Sequence, residues 1–200
     1  MNGNTAILIL AAGASSRMNR PKQLLPWKNT TLLGAILEQS LTSNLENIVV
    51  VLGANSAEIK SKIDFSSINV VENKSWEKGL GNSISFGVNF IQKKLKNIDS
   101  ILITLADQPF LTGSYFNLLQ STFKTSKKRI IATKIKNRVG VPAIFDLFYF
   151  EELKKLNEDK GAKQLISKHK NDVKAVVSEI DFTDIDTLEV YNQLLKNNSK

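Results

Sequence analysis

The sequence contains no cysteine and a single histidine. Without cysteine there is no disulfide, no thiolate metal site and no cysteine nucleophile, which is compatible with a reducing cytosol. The lone imidazole, His169, sits in a lysine-rich helical segment and reads as a surface residue with no catalytic role. Long apolar runs are also missing. "TAILILAAGA" at 5–14 is ten residues, about half of what a bilayer-spanning helix needs. No basic residue precedes it, as one would before a secretory signal core. It reads as a buried first strand, and the chain as a soluble, cytoplasmic protein with no membrane partner. There is no Pro/Gly/Ser-rich linker, internal repeat or low-complexity tract. The 200 residues, 42% of them hydrophobic, therefore read as a single domain, 1–200, with a sizeable core.

Positive charge is in excess: 27 Lys and Arg against 19 Asp and Glu, a net +8. Beyond Lys22 and Lys28 the lysines are scattered from Lys60 to Lys200, and no aromatic residues interleave with them as a stacking platform requires. Nucleic acid is therefore not an expected partner. What remains is a solvated surface or a site for small anionic substrates.

Short β-branched runs recur at "TAILIL", "NIVVVLGA", "INVVEN", "SILITLA", "RIIATKI", "PAIF" and "VKAVVSEI". They are nearly continuous, as in strands covered on both faces. Helical patterns lie between most of them. "TTLLGAILEQSL" puts Leu32, Leu33, Ile36, Leu37 and Leu41 on one face, and "GNSISFGVNFIQKKLKN" lines up Ile84, Val88, Ile91 and Leu95. "TGSYFNLLQSTF" starts at a Thr112 cap and should bury Tyr115, Leu118 and Leu119. "DTLEVYNQLLKN" has Asp186 as N-cap with Glu189 three residues on, a capping-box pattern. The alternation predicts a three-layer α/β/α, Rossmann-like fold with a mostly parallel mixed sheet. Lys127 to Phe145 breaks the rhythm, and two strand-like runs around "KNRVG" predict a hairpin or an antiparallel strand.

Ligands of such folds bind beyond the carboxyl ends of the strands. The first such loop is "AAGASSRMNRPK". Gly13 permits positive φ and close backbone approach. Ala14, Ser15 and Ser16 are small enough to leave their N–H groups open to an anion, and Arg17 and Lys22 add full charges. The pattern suits polyphosphate, although neither G-x-G-x-x-G nor G-x-x-x-x-G-K-[ST] is present. A tight turn with two solvated cations is the plainer account. In "LADQPF" an apolar strand ends in Asp107, followed by Gln108 and Pro109. A carboxylate there suits Mg²⁺ held jointly with phosphate oxygens, or simply an Asp-initiated turn.

In "GLGNS", Asn82 and Ser83 after Gly81 could read a base or ribose, or serve as helix caps. Trp76, just before this loop, could flank a ligand or be an ordinary aromatic. Gly140 and Pro142 sit in the irregular connection "NRVGVP". Asp159, Lys160 and Gly161 precede a helix whose N-terminus could meet an anion. Asp184 and Asp186 in "DFTDIDT" could supply a second metal carboxylate, with capping by Asp186 as the competing reading.

Together "LAAGASSRMNRPKQLLPW", "LADQP", "GVP", "DKGAKQLI" and "DIDT" resemble the MobA-like nucleotidyltransferases, in particular the molybdenum cofactor cytidylyltransferases. The motifs run in family order from Leu10 to about Tyr191. Asn19 stands where the family usually has Gly, and Leu188 where it has Pro. The resemblance implies an enzyme that transfers CMP from CTP to the phosphate of molybdopterin and releases pyrophosphate, with Mg²⁺ as cofactor. On that resemblance CTP lies along Leu10, Ala11, Ala12, Gly13, Ala14, Ser15 and Ser16, with Gly81, Asn82, Ser83 and Ala106 nearby. Arg17, Lys22 and Asp107 carry catalysis, and Asp107 with Asp184 or Asp186 holds the metal. Gln108, Pro109, Gly140, Pro142, Lys160 and Gly161 face the acceptor. A molybdoenzyme or its chaperone would receive the product. Three other readings stand beside it: a GTP-using guanylyltransferase, a transferase acting on a sugar, polyol or choline phosphate, and a non-catalytic cofactor carrier. A carrier has less need of a metal carboxylate such as Asp107 beside its cations.

Overall fold

The computed structural model describes residues 4–157, 159 and 161–198. The first strand, β1 (Asn4–Ala11), is buried on both faces. Ala6, Leu8 and Leu10 enter one core, while Ile7, Ile9 and Ala11 enter the other. That is why its sequence is apolar throughout and not alternating.

A two-strand ladder, β2 (Pro26–Trp27) with β3 (Thr30–Thr31), leads into α1 (Leu32–Leu41). The Thr31 hydroxyl caps α1 by accepting from the Gly34 N–H at 3.0 Å. There follow β4 (Asn47–Leu52), α2 (Ser56–Lys62), β5 (Asn69–Glu72), α3 (Leu80–Lys94), β6 (Ile98–Leu105) and α4 (Gly113–Thr125). The chain continues through β7 (Ile130–Ile135), β8 (Arg138–Asp146), α5 (Phe150–Leu153), α6 (Gly161–Lys168), β9 (Val173–Val177) and α7 (Leu188–Asn198).

The seven-stranded sheet has the order β5-β4-β1-β6-β8-β7-β9. Only β8 runs against its neighbours; β7 and β9 again run with β6. This is the mostly parallel mixed α/β sheet expected, including the hairpin around Lys136 and Asn137. One face is covered by Ile84, Val88 and Ile91 of α3 with Phe150, Leu153, Leu165 and Ile166 of α5 and α6. The other is covered by Leu33, Ile36 and Leu37 of α1, Ile59 of α2, and Tyr115, Phe116 and Leu119 of α4. A third cluster joins Met18, Leu25, Trp27, Leu32, Ile185 and Tyr191. It packs the loop after β1 against α7. Among the described residues no helix is long and apolar enough to cross a membrane.

Several local expectations are corrected. Leu41 is 52% exposed, because it closes the last turn of α1. Leu118 is 45% exposed and Phe116 is buried in its place. At about 100° per residue, a stripe through 115, 116 and 119 leaves 118 on the flank. Gly140 and Pro142 lie inside β8, not in an irregular connection. The β7–β8 pairing steps from Ala132–Ala143 to Thr133–Gly140, leaving Val141 and Pro142 out of the ladder. Proline has no N–H to give to it; its carbonyl instead accepts from the Thr133 hydroxyl at 2.7 Å. Asp186 does not cap α7: the Val190 N–H goes to Thr187 Oγ1 at 3.3 Å, and Leu188 opens the helix. His169 is half-buried, with Nε2 3.0 Å from the Glu152 carboxylate and its ring 4.8 Å from that of Tyr149.

Candidate active site

β1 and β6 are adjacent and parallel, so their carboxyl ends open on the same edge of the sheet. The Ala106 N–H donates to the Leu10 carbonyl at 3.1 Å, extending that pairing to the threshold of Asp107. The segment before α7 crosses the same edge, and the Ile185 N–H donates to the Asp107 carbonyl at 3.0 Å. Three stretches far apart in sequence therefore meet here.

In the first loop the left-handed conformations fall at Ser15 (φ 57°) and Asn19 (φ 52°), not at Gly13. Asn is among the few side chains that adopt this region readily, so the absence of glycine at 19 is accommodated. Gly13 has a different use. A Cβ there would meet nothing within 4 Å, so the bare backbone borders open space. The Ser15 hydroxyl accepts from the Lys22 N–H at 3.0 Å, folding the loop back on itself. Buried Gln23 donates to the carbonyls of Ala11 (2.8 Å) and Gly13 (3.0 Å), which holds the backbone at the mouth of β1.

Lys22 is the hub. Its Nζ lies 2.5 Å from Asp107 Oδ2 and 2.8 Å from Asp186 Oδ1. Burial works against the ammonium, but Asp107 first and then Asp186 outweigh it and hold the Lys22 pKa above its ordinary value. Burial lifts the Asp107 carboxyl above the ordinary carboxylate range, and Lys22 opposes this without cancelling it. Asp186 loses some ionisation to burial but is held low by Lys22. Asp107 Oδ1 is buried without a hydrogen-bond partner. An orphaned carboxylate oxygen in a wall of mixed charge is a ready ligand for a cation. Asp184 makes no contact with Lys22: it accepts from Gln108 Nε2 at 2.8 Å and lies 3.7 Å from Arg138 Nη2.

A cleft of 640 Å³ runs along these residues. Leu10, Ala11, Ala12, Gly13, Ser16, Arg17, Lys22, Ser83, Ala106, Asp107, Asp184 and Asp186 line it, all singled out from the sequence. Ala14, Ser15, Gly81 and Asn82 do not. Asn82 and Ser83 are not helix caps; their side chains accept from Asn73 Nδ2 at 3.0 and 3.1 Å. Of the residues expected to face an acceptor, Gln108, Pro109, Gly140, Pro142 and Gly161 are not in the cleft wall. Gln108 is buried behind it, Pro109 borders a separate hollow beside Trp27, and Gly161 packs against Leu80. Lys160 lies outside the described residues.

Trp76 does line the cleft. A Cβ on Gly53 would come within 2.6 Å of both the Ala12 carbonyl oxygen and Trp76 Cβ, so glycine at 53 lets the indole approach the end of β1. Gln23, Glu77, Leu80, Leu105 and Asp159 also contribute to the wall. Asp159 reads from the sequence only as part of a helix entry, and Gln23 has the signal of a polar residue placed between Lys22 and the apolar Leu24 and Leu25. Among the described residues no cluster of three or more acidic or histidine side chains is poised as a metal cage. Two carboxylates together with phosphate oxygens are nevertheless a normal Mg²⁺ shell. Asp107 and Asp186, already gathered around one cation, suit that part.

Residues 7–173 match the model of the MobA-like NTP transferase domain. The chain is 30% identical over 199 residues to the purine catabolism protein PucB of Bacillus subtilis, an alignment covering 94% of each. It is 35% identical over 106 residues to nicotine blue oxidoreductase of Paenarthrobacter nicotinovorans, matching 52% of this chain and only 50% of that protein. It is 30% identical over 115 residues to the molybdenum cofactor cytidylyltransferase of Escherichia coli, 57% of each. Among solved structures, Rv0371c of Mycobacterium tuberculosis superposes with a TM-score of 0.87 at 26% identity, covering 98% of this chain and 100% of that one. Its manganese complex superposes at 0.82 with 24% identity, covering 96% and 98%.

Proposed function

The chain belongs to the MobA-like NTP transferase family and is a nucleotidyltransferase, and on that footing we propose that it transfers CMP from CTP to the terminal phosphate of molybdopterin with Mg²⁺. The observation that carries this reading is the Lys22 ammonium, joined to Asp107 and Asp186 at the carboxyl ends of β1 and β6 beside the open backbone of Gly13. A partly buried cation, two carboxylates and open backbone gathered at one sheet edge support binding of a triphosphate with a metal.

In this reading the backbone from Ala11 to Ser16 and the Arg17 guanidinium bind the triphosphate. Lys22 neutralises the charge that builds on the α-phosphate. Asp107 and Asp186 would hold Mg²⁺, which would supply further neutralisation of that charge. A molybdopterin phosphate oxygen attacks the α-phosphorus; the new P–O bond forms as the bond to the bridging oxygen breaks, and pyrophosphate leaves. The attacking group is already an anion, so no general base is required. Positioning and charge neutralisation then account for the chemistry. The E. coli relative's name supports this choice of nucleotide and acceptor.

Purified protein is incubated with Mg²⁺, molybdopterin and each nucleoside triphosphate in turn, and pyrophosphate is measured. CTP should give the highest turnover, and Lys22→Ala and Asp107→Ala should each lose about a hundredfold or more, as when a transition-state charge partner is removed. Full activity in both variants would remove the site assignment. A preference for GTP would replace cytidylyl transfer with guanylyl transfer.

A further inference from the structure

Gln23 is 2% exposed and brings an uncharged amide into the wall of the cleft. Its Nε2 donates to the carbonyls of Ala11 at 2.8 Å and Gly13 at 3.0 Å. Its Oε1 accepts from the Ser15 hydroxyl at 3.4 Å. An amide nitrogen has two hydrogens, and both are used here. Ala11 ends β1 and is fixed by the sheet. Ser15 is left-handed, and its hydroxyl also accepts from the Lys22 N–H. One buried side chain therefore ties a fixed strand end to a glycine and to a turn of the first loop.

Gly13 needs that tie more than its neighbours do. It is exposed, and a Cβ there would meet nothing within 4 Å. Glycine's backbone freedom lets the Gly13–Ala14 peptide sit either way round. A trans peptide is planar, with its C=O and N–H pointing in opposite directions. Turning the Gly13 carbonyl inward to Gln23 therefore turns the Ala14 N–H outward. Among the described residues that N–H has no backbone acceptor. The flipped peptide would present its carbonyl oxygen instead, and a negative dipole repels an anion where an N–H attracts one.

We propose that Gln23 is a positioning residue: it holds the Gly13–Ala14 peptide with its N–H outward and so sets the first loop in its anion-accepting form. It acts through that peptide. The inference rests on the reading of this loop as the triphosphate site, and it adds what fixes the loop's polarity.

The test uses the full chain, isotope-labelled for amide NMR and titrated with tripolyphosphate and Mg²⁺. In the wild type the Ala14 amide proton should move downfield as tripolyphosphate binds. Gln23→Met has the same reach and no donor. It should weaken tripolyphosphate about tenfold or more, the cost of losing a charge-assisted contact, and should lose the Ala14 shift. Gln23→Asn, whose amide falls one methylene short, should do the same and keeps the test decisive should the Met variant fail to fold. The proposal is overturned if the wild type binds no tripolyphosphate, if its Ala14 amide does not respond, or if the folded variants bind as the wild type does. A lowered denaturation midpoint with unchanged affinity also overturns it, because that is the mark of a brace for stability alone. Turnover separates the two readings. Gln23-dependent tripolyphosphate binding without pyrophosphate release from CTP and molybdopterin removes the reaction and keeps the positioning role. Turnover with an unaltered KM for CTP in Gln23→Met keeps the reaction and removes the positioning role.

Discussion

Lys22 and Asn19 show how much one residue's setting decides. Lys22 Nζ sits between the carboxylates assigned to the metal, so it competes with a divalent cation for the same oxygens. Lys22→Met should therefore raise the affinity for Mn²⁺ alone, read by electron paramagnetic resonance without nucleotide, even as turnover collapses. Unchanged or weaker Mn²⁺ binding would mean that these carboxylates do not form the metal site. Asn19 occupies a left-handed position. Asn19→Ala should cost about 1 kcal/mol of stability in a urea titration, whereas Asn19→Gly should stay within a few tenths. The departure from the family's glycine is thus a matter of backbone conformation and leaves the first loop intact.

At the scale of elements, α7 is the unexpected contributor. It packs on the loop after β1 through Tyr191, beside Ile185 of the segment before it, and the Tyr191 hydroxyl donates to the Pro26 carbonyl at 2.6 Å. The segment just before it delivers Asp186 to Lys22. Tyr191→Phe removes one hydrogen bond and leaves the carbonyl near solvent. It should cost about 1 kcal/mol, measured as a shift in denaturation midpoint. The strand–helix alternation was legible because burial on both faces imposes continuous apolar runs. The cap of α7 was not. Asp186 has the right residue type for an N-cap, but its carboxylate is drawn to Lys22, 164 positions away, and Thr187 caps the helix instead.

Across the whole molecule, charge couples fold to pH. Glu152 of α5 is held below the ordinary glutamate range, first by the Lys168 ammonium and then by His169. Glu72 and Glu151 are held low mainly by Lys60 and Lys154. Each folded pKa lies below its unfolded value. The unfolded chain therefore takes up protons first on acidification, and the stabilisation, complete above the unfolded pKa, is lost as pH falls through the folded one. Asp107, raised by burial, works in the opposite direction. The urea midpoint should fall between pH 7 and pH 3, and Glu152→Gln should shrink that fall. An identical fall in the variant would mean that the α5–α6 contact carries no such linkage.

The sequence alone determined the α/β class, the mostly parallel sheet, the hairpin and a first loop of small residues carrying Arg17 and Lys22. These follow from local periodicity and from which residue types can line an anion site. It also pointed to Asp107, because a carboxylate ending a buried strand has to lie at the sheet edge. Only the tertiary structure decided that Asp186 and not Asp184 joins Lys22, that Gln23 braces the loop, and that Gly140 and Pro142 stay within β8. The first joins stretches 164 positions apart that the sheet order brings together, and the other two depend on how one loop and one hairpin fold back on themselves. No spacing along the chain records that.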